Sequence, residues 1–151
     1  IDVLIHPEGI IHSLVEFTDN SMLAQLSVPD MKIPIAYGLG YPSKIHSGSS
    51  SINFEEISSL TLKKPDLQKF PALNLAKNCI DIGGTSFAIL NAANEECVAA
   101  FLAGKITYLD IYQIVSKVLD NSTINDVKEL NDIFEADERS RSTTKELINK
   151  I

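Results

Sequence analysis

The residues richest in possible chemistry lie near the start of the chain. His6 and His12 stand six apart across a Pro7-Glu8-Gly9 turn, and two imidazoles with a carboxylate between them are donors that suit a divalent metal. The spacing matches no recognised ligand pattern, and no third histidine is near. The simpler reading places one histidine in a turn, hydrogen-bonded, and the other at a sheet edge. His46 reads as an exposed residue of a polar stretch. Further along, Asn91-Ala92-Ala93-Asn94-Glu95-Glu96 gathers amides and carboxylates, but as residues of a helix's opening turn they would satisfy free N–H groups and suit its positive end. Gly83-Gly84-Thr85-Ser86 has the look of a phosphate loop without its lysine or its preceding strand, so a helix-breaking turn followed by a hydroxyl cap fits better. Cys79 and Cys97 are the only cysteines, each among apolar neighbours in a helical pattern, and read as two reduced, buried thiols in a reducing compartment. No Ser–His–Asp order, paired-cysteine zinc spacing or dinucleotide glycine fingerprint is present, and no metal site is assigned.

The elements that must position these groups change character along the chain. Residues 1–28 read as β: Val3-Leu4-Ile5 is a short apolar run, and Ile10–Phe17 and Ser21–Leu26 flank Thr18-Asp19-Asn20, a loop of hairpin length. Apolar residues fall on both faces of that hairpin, which suggests a sheet covered on both sides or covered on one by a second subunit. Residues 29–65 are loop-rich. Pro29-Asp30-Met31 suits the start of a helix, Pro34 limits that helix unless it too lies in the first turn, and Ser47-Gly48-Ser49-Ser50-Ser51 has linker composition.

From Asp66 onward the period is helical. Leu73, Leu75, Ala76, Cys79 and Ile80 recur until Gly83-Gly84; Ile89 to Phe101 form a second helix ending near Gly104; Thr107-Tyr108-Leu109-Asp110 opens a third with an acidic capping box. A last stretch carries Val127, Leu130, Ile133 and Phe134, with Asp137 read as the cap of a charged helix running to Ile151. Three or four helices with short links make a bundle.

The chain's 151 residues, 44% hydrophobic and 22% charged, exclude wholesale disorder, and no apolar run approaches the roughly 18 residues of a membrane span. The net charge of −7 carries no basic arm, which disfavours phosphate-backbone binding. The chain opens at Ile1 within what already reads as a strand, which suits a piece of a longer chain. These features predict an α+β chain with a helical bundle, soluble, and reach no reaction.

Several phrases go further. Ile5-His6-Pro7-Glu8-Gly9-Ile10-Ile11-His12-Ser13-Leu14-Val15, then Leu23-Ala24-Gln25-Leu26 and Pro29-Asp30-Met31-Lys32-Ile33-Pro34-Ile35-Ala36, resemble the carboxy-terminal part of the 1-deoxy-D-xylulose 5-phosphate reductoisomerases. Phe54, Leu60-Thr61-Leu62, Pro65-Asp66, Phe70-Pro71-Ala72-Leu73, Leu90-Asn91-Ala92-Ala93-Asn94-Glu95 and Val98-Ala99-Ala100-Phe101-Leu102 continue the likeness in the same order, over essentially the whole chain.

The resemblance implies a homodimeric, NADP-dependent oxidoreductase of non-mevalonate isoprenoid synthesis that rearranges a sugar phosphate on a divalent metal (Mg, Mn or Co) and reduces the product with NADPH. It implies that residues 1–35 are the tail of a connective catalytic domain, 36–65 a linker and 66–151 a carboxy-terminal helical domain. The nucleotide loop, metal carboxylates and main phosphate ligands of such enzymes lie upstream, so the chain alone is expected to be inactive and to bind neither cofactor. Three positions match residues near the family's centre: His12 as a supporting group, and Pro29 and Met31 as an apolar wall beside the nicotinamide. The family commonly reads His-Pro-Gln-Ser where this chain has His-Pro-Glu-Gly, which removes a hydroxyl at Gly9. A bacterial cytoplasmic setting is expected, with a plastid-type organelle as the other option. The competing reading is a stand-alone, non-catalytic interaction module.

Overall fold

The computed structural model of the chain describes residues 1–151, which divide into two compact units, Ile1–Pro65 and Asp66–Ile151. The architecture is α+β, with two strands in the first unit and helices in both. No helix is long and apolar enough to cross a membrane.

In the first unit, β1 (Ile11–Glu16) pairs antiparallel with β2 (Met22–Leu26), Val15 opposite Leu23 and Leu14 opposite Ala24. The connection is set by Asp19, whose Oδ1 accepts the Ser21 N–H at 2.9 Å and its hydroxyl at 2.6 Å, while Asn20 takes φ 64°, a conformation Asn tolerates. Val15, Phe17, Met22 and Leu23 remain exposed on this two-stranded ribbon. The Val3–Ile5 run does not form a strand. Only Ile5 pairs, with Lys63, through backbone hydrogen bonds of 2.8 and 2.9 Å, because a single bridge is all the neighbouring segment offers.

Helix α1 (Lys32–Gly40) follows. Asp30 Oδ1 accepts the Lys32 N–H at 2.9 Å, so the turn before the helix is closed by a side chain. Pro34 is its third residue, where the missing N–H has no helical partner to lose. Residues 36–65, whose serines and glycines have linker composition, lie in the first unit, and α1 runs across residues 35 and 36.

In the second unit, α2 (Ala72–Ile82), α3 (Ser86–Leu102), α4 (Tyr108–Asp120) and α5 (Leu130–Ile148) pack around α3. The core joins Cys79, Ile89, Ala93 and Cys97 to Ile114, Val115 and Val118, and both cysteines are free thiols. Burial pushes the Cys97 thiol up to about 11, which keeps it protonated and unreactive. Ala92 and Ala93, fully buried, let neighbouring helices approach α3 closely.

Helix α5 departs from the expected pattern. Its buried residues are Ser140 and Thr144, not an apolar stripe, and each hydroxyl is satisfied: Ser140 donates to the Ile89 carbonyl at 3.0 Å and Thr144 to the Ser140 carbonyl at 2.7 Å. Asp137 is therefore mid-helix and not a cap. The start is Glu129, where Asp132 Oδ2 accepts the N–H groups of Lys128 and Glu129 at 2.7 and 3.0 Å. At the start of α4, Asp110 Oδ2 accepts the Thr107 N–H at 2.7 Å and its hydroxyl at 2.6 Å, as the capping box predicts.

Thr107's hydroxyl and N–H hold the Asp110 carboxyl below the usual carboxylate range; N–H groups of Glu129 and Lys128 do the same for Asp132. A depressed folded-state value stabilises above the ordinary carboxylate pKa and is lost as pH falls through the folded value. The unfolding midpoint of the helical unit should therefore fall as pH drops from the ordinary carboxylate range downward. Asp110→Asn should flatten that slope, read by circular dichroism melts across pH; an unaltered slope would remove Asp110 from the account.

Candidate functional site

The first unit carries a groove of about 860 Å³ between the hairpin, α1 and the returning loop 44–47. Its walls are mainly apolar: Pro29, Met31, Ile33, Pro34, Tyr37 and Ile45. Polar groups enter at His12, Gln25, Ser27, Asp30, Lys44 and Ser47. An apolar cleft with a few placed polar groups is the usual form of a small-molecule site.

His12 reaches the groove because the β1–β2 register breaks between Ile11 and Ser13. Such an irregularity re-aims a side chain out of the alternation. Its Nε2 lies 3.2 Å from the Ser27 carbonyl, which can accept only from a protonated Nε2; in the neutral tautomer that donates there, Nδ1 is the ring's acceptor. Met31 sits at the N-cap of α1, exposed, and Pro29 precedes it across the Asp30 turn. The structure thus brings His12, Pro29 and Met31 onto one groove although 17 residues separate the first two.

Asp30 is the groove's one acidic group, and its charge is engaged. Beyond the Lys32 N–H, its Oδ2 accepts the Ser49 hydroxyl at 3.0 Å and lies 3.8 Å from Lys32 Nζ. The backbone N–H of Lys32 is the main cause that holds this carboxyl below its usual range.

His6 does not share the groove. Its Nδ1 lies 2.8 Å from the Thr61 carbonyl and 3.0 Å from Glu8 Oε2, and the Thr61 N–H donates to Glu8 at 3.1 Å. His6 and Glu8 tie the start of the chain to residues 61–63, while His12 serves the hairpin. The two histidines are divided between separate tasks, and no group of three His, Cys, Asp or Glu side chains converges as metal donors.

The other motifs are structural. Asn91 lies in the middle of α3, not in its opening turn, and donates from Nδ2 to Glu95 Oε1 at 3.2 Å. Glu95 and Glu96 reach Arg141 at 2.6 and 3.3 Å, and Asp137 reaches it at 2.7 Å, forming a clamp between α3 and α5. Thr85 and Ser86 do not cap α3 with their side chains: Thr85 Oγ1 accepts the Asn125 N–H at 3.1 Å, and Ser86 Oγ donates to the Cys79 carbonyl at 3.0 Å. Lys44, Ile45 and Ser47, the far wall of the groove, carried no sequence signal because only the return of the loop brings them there.

A two-stranded ribbon with a short helix, bearing an apolar groove, followed by an all-helical unit, makes this an α+β chain. Residues 26–143 match the family model described as the DXP reductoisomerase C-terminal domain. The 1-deoxy-D-xylulose 5-phosphate reductoisomerase of Trichlorobacter lovleyi is 42% identical over all 151 residues, which span 39% of that protein's length. The solved structure of the Zymomonas mobilis reductoisomerase in complex with NADPH superposes with a TM-score of 0.87 at 41% identity, covering 97% of this chain and 39% of that one. A DOX-P reductoisomerase in complex with NADPH, fosmidomycin and magnesium superposes at 0.88, also at 41% identity, covering 97% of this chain and 38% of that one. The chain belongs to the 1-deoxy-D-xylulose 5-phosphate reductoisomerase family, and it spans about two-fifths of the length of these relatives.

Proposed function

We propose that this chain is the carboxy-terminal portion of an NADPH-dependent reductoisomerase that converts 1-deoxy-D-xylulose 5-phosphate to 2-C-methyl-D-erythritol 4-phosphate. The observation that carries the reading is the likeness to reductoisomerases along all 151 residues. In this reading residues 1–35 end the connective domain, 36–65 link, and 66–151 form the helical domain. The exposed hairpin face, with Val15 and Leu23, is the surface through which two connective domains pair as a homodimer. The setting is the bacterial cytoplasm.

The groove suits one end of the nucleotide. A nicotinamide is a flat ring with a polar carboxamide, and Pro29 and Met31 offer it an apolar wall, with His12 Nδ1 nearby as an acceptor. Bound NADPH supplies a hydride; the chain's own residues orient the ring, exclude water from one face and hold the His12 imidazole through Ser27. Met31, with a flexible thioether, can follow a ligand that comes and goes. The donors present do not fit a catalytic Mg²⁺ or Mn²⁺, since no carboxylate cage converges among them.

The full-length protein containing this chain should consume NADPH in the presence of 1-deoxy-D-xylulose 5-phosphate, followed at 340 nm, whereas the 151 residues alone should not. Turnover by the isolated chain would refute the division of labour.

A further inference from the structure

The groove has two walls that no secondary structure joins. One is the start of α1, with Pro29, Met31 and Ile33; the other is the returning loop, with Lys44, Ile45 and Ser47. Two contacts fix their separation. At the far end of α1, Gly40 lies so close to Ile45 that a Cβ there would meet the Ile45 side chain at 2.8 to 3.4 Å. From the loop, the Ser49 hydroxyl donates to Oδ2 of Asp30, a groove-lining residue, at 3.0 Å, across 19 residues of sequence. Loop residues 47–49 are themselves tightened by the Ser49 N–H donating to Ser47 Oγ at 3.2 Å.

Asp30 also accepts the Lys32 N–H, so one carboxylate both starts the helix carrying Met31 and holds the opposite wall. We infer that Asp30 and Ser49 form a staple that sets the width of the groove, and that Asp30 is a positioning residue for the ring held against Met31. This rests on the function proposed above. The staple acts through backbone placement: neither residue need touch the ligand for its loss to let the loop drift from α1. A groove that is too wide loses apolar contact with a flat ring, a change in binding rather than in chemistry.

The test is Ser49→Ala and Ser49→Thr in the full-length protein, with NADPH as the probe. Ser49→Ala should raise KM for NADPH about fivefold with kcat held within about twofold, the size of one net hydrogen bond, and Ser49→Thr should restore it. Amide hydrogen exchange of residues 44–49 should quicken in Ser49→Ala while that of α3 stays put. Unchanged exchange at the loop overturns the staple. So does faster exchange with KM left at the wild-type value. A wild-type protein that binds no NADPH and turns over no sugar phosphate would defeat the functional reading instead, and the loop's exchange would then decide the staple alone.

Discussion

Gly84→Ala should destabilise the helical unit by about 2–4 kcal/mol, a large fraction of the roughly 5–15 kcal/mol that holds a domain folded. Two costs combine at this position. Gly84 holds φ 55°, where a Cβ is strained, and that Cβ would be driven into the Asn125 carbonyl, whose backbone cannot swing away freely. It cannot because the Asn125 carbonyl accepts the Thr85 N–H at 3.0 Å while its own N–H donates to Thr85 Oγ1. The turn between α2 and α3 is thereby docked onto the segment between α4 and α5, and Thr85 is buried in the joint. Gly104→Ala is the control: φ is 70°, but a Cβ there meets nothing within 4 Å, so only the conformational cost of about 1–2 kcal/mol applies. Melting temperatures by circular dichroism decide it. Equal losses in the two variants would show that the Asn125 contact contributes nothing.

The same turn shows what the sequence made legible and what it hid. Gly83-Gly84 announced a helix stop by local chemistry, and Gly83 does end α2. That Thr85 would turn its hydroxyl toward Asn125, 40 residues on, depends on tertiary packing, which no local pattern encodes. Thr107 and Asp110 could be read because both partners of a capping box lie within four residues. Glu129 and Asp132 form the same device with a carboxylate in the first position, and so Asp137, a commoner cap in appearance, drew attention away. Helix α5 hid further because its buried residues are Ser140 and Thr144, and its bonds to α3 come from the Ser140 hydroxyl and Arg141, groups that a hydrophobic period does not register. Asn91 and Glu95 look like residues of a helix start, yet their spacing of four also fits a mid-helix pair, and Arg141 across the bundle selects that arrangement.

The groove divides in the same way. His12, Pro29 and Met31 stood out through the phrases around them, and they share one cleft. Asp30 was legible only as a helix-opening residue; its bond to Ser49 is long-range, and Ser49 sat in a run of small polar residues that resembles any flexible link. Exposure of Val15, Leu23 and Met22 on the hairpin likewise reflects a pattern that was plain in the alternation, with apolar side chains on both faces of a ribbon that has a single pairing partner.

In the full-length protein, Met31→Asp should lower kcat/KM for NADPH by about 30-fold, or about 2 kcal/mol of lost stabilisation, chiefly through KM. The reason lies in the wall that Met31 provides. Its side chain is 70% exposed in this chain, so its apolar surface is presented to the groove and contributes little to the unit's own core. A carboxylate in its place removes the contact with a flat ring and must itself be stripped of water when the ring arrives. It also stands beside Asp30, whose carboxyl is held below its usual range, so the new carboxylate meets a like charge that adds to the cost of ionising it there. Met31→Leu keeps the apolar surface but loses the thioether's freedom to adapt, and a loss of about threefold is expected. Because the residue is exposed, both variants should melt within about 2 °C of the wild type, a readout that separates a binding defect from a folding one. An Asp variant that retains wild-type KM for NADPH would remove Met31 from the nucleotide's wall and return it to the surface of the first unit.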